Sequence, residues 1–87
     1  MGQVEILEAL SYSKLPMSGK QIAEVIGQSW KDNVNKNIRK LLERKEIKCI
    51  EINRHDALKY FGSKRKLRVY YLNESDLIRA KKTVTYL

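Results

Sequence analysis

Cysteine, histidine, tryptophan, phenylalanine and proline each occur only once in this chain of 87 residues. The single cysteine, Cys49, has no partner for an internal disulfide, which is typical of proteins in a reducing interior. No apolar run approaches the roughly 20 residues needed to span a bilayer. The first residues begin a helical pattern and lack the basic-then-apolar run of a signal peptide. We therefore expect a cytoplasmic protein that does not enter a membrane.

Catalytic groups are equally scarce. One histidine and one cysteine cannot form a His/Cys metal cluster, or a Cys–His pair with a third orienting group. Gly19 and Lys20 lack the spaced preceding glycine of a phosphate-binding loop. The Asp and Glu residues stand singly, mostly beside Lys or Arg, as in solvated ion pairs. We expect no enzymatic activity, no metal and no cofactor.

Positive charge is abundant and unevenly placed. The net charge is +8, and the segment from Gln28 to Arg68 has 13 Lys and Arg against 5 Asp and Glu, so it holds the whole excess. A concentrated positive field suggests a polyanionic partner, and nucleic acid is the commonest soluble one. The alternative is a solvated basic face that keeps the protein soluble. The length predicts one domain, 1–87, with a modest core.

Two amphipathic patterns lie between Ser18 and Ile47. In the first, Ser18 is a good N-cap, and Gln21 three residues later completes a capping box. Apolar residues then share one face, and Gly27 suits the left-handed conformation that ends a helix. In the second, Ser29 is the N-cap candidate, and the apolar stripe consists of Val34, Ile38, Leu41 and Leu42. The opposite face carries Lys31, Asp32, Asn35, Lys36, Arg39 and Lys40, and its cations and amide make it rich in hydrogen-bond donors.

These two patterns resemble those of small prokaryotic and archaeal winged helix-turn-helix regulators. The resemblance is carried by Ile22-Ala23, Ile26-Gly27, Val34-x-x-x-Ile38-x-x-Leu41 and Arg44-Lys45-Glu46-Ile47. It implies an α+β, mainly helical fold with a three-helix core, a two-stranded β-hairpin wing and a C-terminal helix. The helix-turn-helix would span about 18–46, the wing about 48–72 and the last helix about 74–87. The distance from Gly27 to Val34 is about one residue longer than usual, so we expect an irregular turn or helix start.

The flanking segments fit the same plan. A first helix from about Gln3 to Tyr12 is predicted to pack across the other two, followed by a very short strand at Met17. The segments 48–53 and 67–72 alternate as strands of the wing hairpin, in which Cys49 is interpreted as a small buried residue. The connection 54–66 is unusually long for a hairpin and strongly basic. The sequence leaves four alternatives for the apolar residues Leu58, Tyr60 and Phe61 of this connection. They form a helical turn, insert between bases, fold back on the body of the domain, or contact a second subunit.

Two further assignments remain open in the sequence. Trp30 either packs into the core, which we favour, or stacks at a binding surface. The apolar residues of the last helix, Leu77, Ala80, Val84 and Leu87, either close the monomer's own core or pair with a second copy. We favour a homodimer through this C-terminal helix, because a small domain gains from burying it.

The resemblance implies a transcriptional regulator that binds double-stranded DNA, with the second helix of the motif in the major groove. Asn35 is the candidate for an adenine edge, because its amide both donates and accepts in one plane. Wing cations would supply sequence-independent affinity for phosphates. The alternatives are a winged-helix protein-interaction module of a larger transcription or replication assembly, and RNA binding by stacking. The predicted DNA-binding residues are Ser18, Lys20, Gln21, Lys31, Asn35, Lys36, Arg39, Lys40, Arg54, Lys64, Arg65, Lys66 and Arg68.

Overall fold

Helices and a three-stranded antiparallel sheet form an α+β fold, as the sequence predicts. The structure, a computed structural model, describes residues 2–83, without the side chains of Trp30 and of residues 81–83. Within this range the elements follow the chain in the order α1 (Gln3–Ser13), β1 (Met17–Ser18), α2 (Gly19–Ile26), a π-helical turn (Trp30–Val34), α3 (Asn35–Glu43), β2 (Lys48–Ile52), α4 (Arg54–Phe61), β3 (Leu67–Tyr71) and α5 (Glu74–Thr83).

The predicted caps of α2 are both present. The Ser18 hydroxyl accepts a hydrogen bond from the Gln21 backbone N–H at 3.3 Å, and the Gln21 side-chain oxygen accepts one from the Ser18 N–H at 2.9 Å. At the other end Gly27 has φ = 69°, and its N–H bonds to the Ala23 carbonyl. This capping box and left-handed glycine fix both ends of an eight-residue helix that would be marginal in isolation.

The expected irregularity before the second helix is the π-helical turn Trp30–Val34. The backbone N–H of Val34 bonds to the Ser29 carbonyl five residues earlier, at 3.1 Å. The Asn37 side chain donates to the Asn33 carbonyl at 2.9 Å and so gives this backbone oxygen a partner. The wide turn accommodates the extra residue while Val34 still reaches the core, where it is fully buried.

The main core lies among α1, α2 and α3. Val34, Ile38 and Leu41 are buried, as predicted, together with Ile6, Leu10 and Ile22 from α1 and α2. Polar side chains reinforce the packing of α1: Gln28 donates to the Glu5 carboxylate at 2.7 Å, and Arg44 donates to the Gln3 side-chain oxygen at 2.9 Å. The first helix therefore packs across the other two, as the sequence predicts.

The sheet has three strands in the order β1-β3-β2, in which the expected hairpin of β2 and β3 is joined by the short strand β1. The short strand predicted at Met17 pairs with β3, with Met17 opposite Tyr70 and Ser18 opposite Val69. Both faces of β3 are used, because Tyr70 belongs to the main core and Val69 to a second cluster. The prediction of a buried Cys49 was wrong. It faces the same side as Tyr70 but lies on the outer strand β2, beyond the helical core, and is exposed.

The connection between β2 and β3 contains the helix α4, where the sequence predicted a long loop. Asn53 caps its start by accepting from the Asp56 N–H at 2.9 Å, and Gly62 ends it at φ = 68°. Ala57 is fully buried against Ile52 and Val69, and Phe61 packs at the edge of this cluster. Of the alternatives left open for the apolar residues, the helical one is correct for this segment. Leu58 points outward and is 41% exposed.

The described part of α5 closes the monomer's own core. Leu77 and Ala80 are buried, and Asp76, itself buried, accepts from the Asn73 N–H and pairs with Arg79 at 3.4 Å. Arg79 also donates to the Lys14 carbonyl at 2.9 Å, which attaches α5 to the end of α1. Val84 and Leu87 lie outside the described residues, as does the side chain of Trp30. Within residues 2–83 no helix is long and apolar enough to cross a membrane.

Lys45 provides a test of the end of α3. It has φ = 60°, and the N–H groups of Lys45 and Glu46 bond to the carbonyls of Leu42 and Leu41 in the pattern of a Schellman motif. Because glycine adopts this conformation without steric cost, we expect Lys45→Gly to raise the free energy of unfolding by about 0.5–1 kcal/mol. Urea denaturation measures the effect. Lys45→Ala removes the same charge but keeps the Cβ, so an equal gain in that variant would contradict the explanation.

Candidate nucleic-acid interface

A cationic groove of about 550 Å³ lies between the first turn of α2 and the strand β3. Four positive side chains line it, and Glu51 is the single acidic residue among its lining. The other lining residues are two serines, a glycine, a leucine and a tyrosine. The complete lining is Ser18, Gly19, Lys20, Glu51, Ser63, Arg65, Lys66, Leu67, Arg68 and Tyr70. Residues from three separate stretches of sequence therefore converge on one electropositive surface.

Strand pairing brings these stretches together. Ser18 is both the last residue of β1, paired with Val69, and the N-cap of α2. The first turn of α2 is thereby held beside β3. Backbone N–H groups at the start of a helix carry partial positive charge and lack intrahelical partners, so Gly19 and Lys20 add to the positive field.

The segment before β3 is shaped by a local turn. The Ser63 hydroxyl accepts from the Arg65 N–H at 3.3 Å and donates to the Arg65 carbonyl at 3.1 Å. This serine turn follows the left-handed Gly62 directly. It fixes the backbone while leaving the side chains of Lys64, Arg65 and Lys66 exposed.

Arg68 is the cation in this groove with a partner. It lies opposite Glu51 in the strand register, and its guanidinium is 3.9 Å from the Glu51 carboxylate. Both side chains are well exposed, so the pair is weak and contributes little stability. An external anion such as a phosphate could therefore replace Glu51 as the partner of Arg68 at little cost in free energy.

Two tyrosines of β3 stay protonated at neutral pH. Burial raises the pKa of Tyr70, and Arg68 partly offsets that rise by charge and hydrogen bonding. Burial also raises the pKa of Tyr71, and the neighbouring Glu74 adds to the effect. Tyr70 therefore presents a neutral phenol to the groove, which adds a hydrogen-bonding group without opposing the positive field.

A second cationic surface lies on α3 and the turn before it. Lys31, Lys36, Arg39 and Lys40 are exposed, and Asn35 is half-buried. The spacing of four residues from Asn35 to Arg39 places these two side chains side by side on the helix. Among the described residues, none of the four cations has a carboxylate within ion-pair distance. This face is therefore available to an external anion.

The structure groups the thirteen predicted residues into distinct sets. Five line the groove: Ser18, Lys20, Arg65, Lys66 and Arg68. Five form the α3 surface: Lys31, Asn35, Lys36, Arg39 and Lys40. Arg54 and Lys64 are exposed at the two ends of the connection that contains α4. Gln21 and Ser18 use their side-chain oxygens as acceptors in the capping box, which does not consume the Gln21 amide N–H groups or the Ser18 O–H that a phosphate would accept from.

Five lining residues were not among the predicted site residues: Gly19, Glu51, Ser63, Leu67 and Tyr70. The position of Gly62-Ser63 beside three cations is a signal that could have indicated Ser63. The location of Glu51 and Tyr70 in the groove depends on which residues of β2 and β3 are paired, and a hydrophobic pattern alone does not specify that register. Arg44, which follows the α3 surface, hydrogen-bonds Gln3 on α1.

Within the described part of the chain, no group of three or more His, Cys, Asp and Glu side chains could hold a metal ion.

Comparisons with known proteins give no further guide. No protein-family model matches this chain, and neither a curated protein nor a solved structure is significantly similar to it.

Proposed function

We propose that this chain is a winged helix-turn-helix protein that binds double-stranded DNA and regulates transcription. In this proposal α2 and α3 are the helix-turn-helix, and the hairpin of β2 and β3 is the wing. The observation that carries it is the groove, where the first turn of α2 meets the cations of the hairpin. A site built from a helix N-terminus and exposed Lys and Arg side chains suits a phosphate backbone.

The groove would hold one DNA strand by its phosphates. Lys20 approaches from the helix, while Arg65 and Lys66 approach from the hairpin. Such contacts fix the register of a protein on the duplex but carry no sequence information directly. Arg68 would exchange its weak contact with Glu51 for a phosphate, since guanidinium binds phosphate oxygens in a bidentate manner.

The α3 surface would supply sequence specificity in the major groove. Asn35 has the amide geometry that reads adenine, and Arg39 one turn later has the fork that reads guanine. Lys31 and Lys36 extend the same surface toward base edges or phosphates. Lys40 lies further along the helix and suits the backbone. The buried stripe of Val34, Ile38 and Leu41 holds this face rigid.

The wing would be a stiff element because α4 packs on it. The cluster of Ile52, Ala57 and Val69 ties the helix to both strands of the hairpin. A structured connection loses less conformational entropy on binding than a flexible loop would. Arg54 at the start of α4 and Lys64 after its end then add to the positive field of the wing.

The RNA alternative is less well supported by the wing. Stacking on unpaired bases needs free aromatic faces. Phe61 packs against the second cluster, and the Lys59 ammonium lies 5.2 Å from the centre of the Tyr60 ring. The protein-interaction alternative would call on Leu58 or Ile78, which are exposed singly on the wing and on the last helix. Single exposed apolar residues are common on monomers, so the wing and the last helix give no reason to prefer this alternative to duplex DNA.

A homodimer through the C-terminal helix remains a prediction. Ile78 is 53% exposed on α5 and is the apolar residue of that helix available to a second copy within the described range. We expect sedimentation equilibrium to give a dimer that Ile78→Lys dissociates, because a buried charge would oppose the interface. A monomer at every concentration tested would contradict the dimer.

The charge argument predicts a salt-dependent affinity for any duplex. We expect Lys66→Ala to weaken binding to all sequences alike and to reduce the slope of log K against log salt by about 1, because one phosphate contact is lost. Fluorescence anisotropy at several salt concentrations measures both quantities. Lys14→Gln is the matched control, since it removes one charge at the end of α1. Equal effects in the two variants, or an affinity insensitive to salt, would refute the groove contact.

The specificity argument predicts a local effect of Asn35. We expect Asn35→Ala to lose about 1–3 kcal/mol of discrimination at one base pair and to retain preference elsewhere. Selection from a random duplex pool would define the preferred site, and competition with single-base variants would measure the loss. Asn73→Ala, an exposed asparagine before α5, is the control. A uniform loss of affinity at every position would assign Asn35 to backbone contact.

A further inference from the structure

A second, smaller groove of about 240 Å³ lies between α1 and the last turn of α2. It is lined by Glu5, Glu8, Ala9, Tyr12, Val25 and Ile26. The cationic groove lies at the first turn of α2 and this one at its last turn. An eight-residue helix is about 12 Å long, so the two grooves are separate places on the surface.

Exposed apolar side chains concentrate around the smaller groove. Among the described residues five large apolar or aromatic side chains are exposed, and three belong to α1 and α2: Val4 (63%), Tyr12 (86%) and Val25 (64%). Val4, Glu8 and Tyr12 follow one another at intervals of four residues and therefore share one face of α1. Val25 lies across the groove from that face. Tyr12 from α1 and Val25 from α2 thus bring exposed apolar surface from both helices to one groove, while Val4 lies outside its lining.

The charge of this region is opposite to that of the rest of the chain. From residue 3 to 13 and from 21 to 26 there are three glutamates, Glu5, Glu8 and Glu24, and no Lys or Arg. Glu5 is held in place by the Gln28 side chain at 2.7 Å. Glu8 and Glu24 are exposed, and within the described residues neither has a cation at ion-pair distance. An acidic, apolar surface therefore stands on a molecule of net charge +8.

We propose that this groove docks a cationic amphipathic helix of a partner protein. The apolar stripe of such a helix would cover Ala9, Val25 and Ile26, and its Lys or Arg side chains would meet Glu5 and Glu8. This is the helix-in-groove mode, in which apolar anchors supply affinity and charges at the rim supply orientation. The occupant is a different protein, because symmetric pairing of this face with its own copy would set like carboxylates against each other.

The partner and DNA can be bound at the same time. The groove shares no lining residue with the cationic groove, and none with the α3 surface. A protein docked on α1 would therefore be carried to the DNA without competing for phosphates. This role is independent of the DNA-binding proposal, and either can fail alone.

The test is an NMR titration of the full ¹⁵N-labelled chain with a synthetic peptide of about 15 residues. The peptide places Leu at helical spacing on one face and Lys on the other, and a control peptide replaces Lys by Glu. We expect amide shifts confined to α1 and the end of α2 with the Lys peptide, and no shifts in these two segments with the Glu peptide. Val25→Lys and Glu8→Lys should each weaken binding about tenfold.

Glu43→Lys is the matched control for Glu8→Lys, because it makes the same change of net charge at an exposed position on α3. It should leave the peptide affinity unchanged, and all three variants should keep the circular dichroism spectrum of the parent chain. Equal weakening by Glu43→Lys would show attraction by net charge and overturn the proposal. Absence of binding, or shifts centred on α3 or β3, would do the same. Self-association that Val25→Lys abolishes would identify the occupant as a second copy and also overturn it.

Discussion

The pairing of two residues of β1 with the centre of β3 is the constraint on which the candidate interface depends. Met17 and Ser18 are the only residues of their strand, yet they join the helical part of the molecule to the hairpin. Ser18 serves both elements, since its backbone lies in the sheet and its hydroxyl caps α2. The distance between the first turn of α2 and the cations of the hairpin is therefore set by backbone pairing. Rigid backbone placement of this kind is what a preorganised binding site requires.

The two hydrophobic clusters support different parts of the candidate interface. The main core of α1, α2 and α3 presents the donor-rich face of α3, and the smaller cluster of Ile52, Ala57 and Val69 stiffens the hairpin. Because Tyr70 and Val69 are adjacent in β3 and face opposite sides, the central strand belongs to both cores. A substitution that changes the packing of either core would therefore act on β3, the strand that carries Tyr70 and Arg68 in the groove.

Local patterns predicted the helical part of the fold well. Capping by Ser18 and Gln21, the left-handed Gly27 and the stripe of Val34, Ile38 and Leu41 depend on spacing within one element, and all are present. The surplus residue before Val34 signalled an irregularity, although the sequence did not specify a π-helical turn. From the sequence, a helical turn was only one of the alternatives for the connection that contains α4. The apolar pattern from Ala57 to Phe61 is short and is flanked by basic residues, so it does not specify a helix. The exposure of Cys49 and the pairing of Glu51 with Arg68 depend on strand order and register, which are properties of the whole sheet.

The separation of charge along α2 gives the molecule a permanent electric dipole. Carboxylates stand near one end of this helix, and Lys and Arg side chains gather around the other. In the field of a polyanion such a dipole experiences a torque, so the molecule would turn its cationic end forward before any contact forms. The molecule would then spend less time in unproductive orientations near the polyanion. The association rate constant would depend on the arrangement of the charges as well as on the net charge.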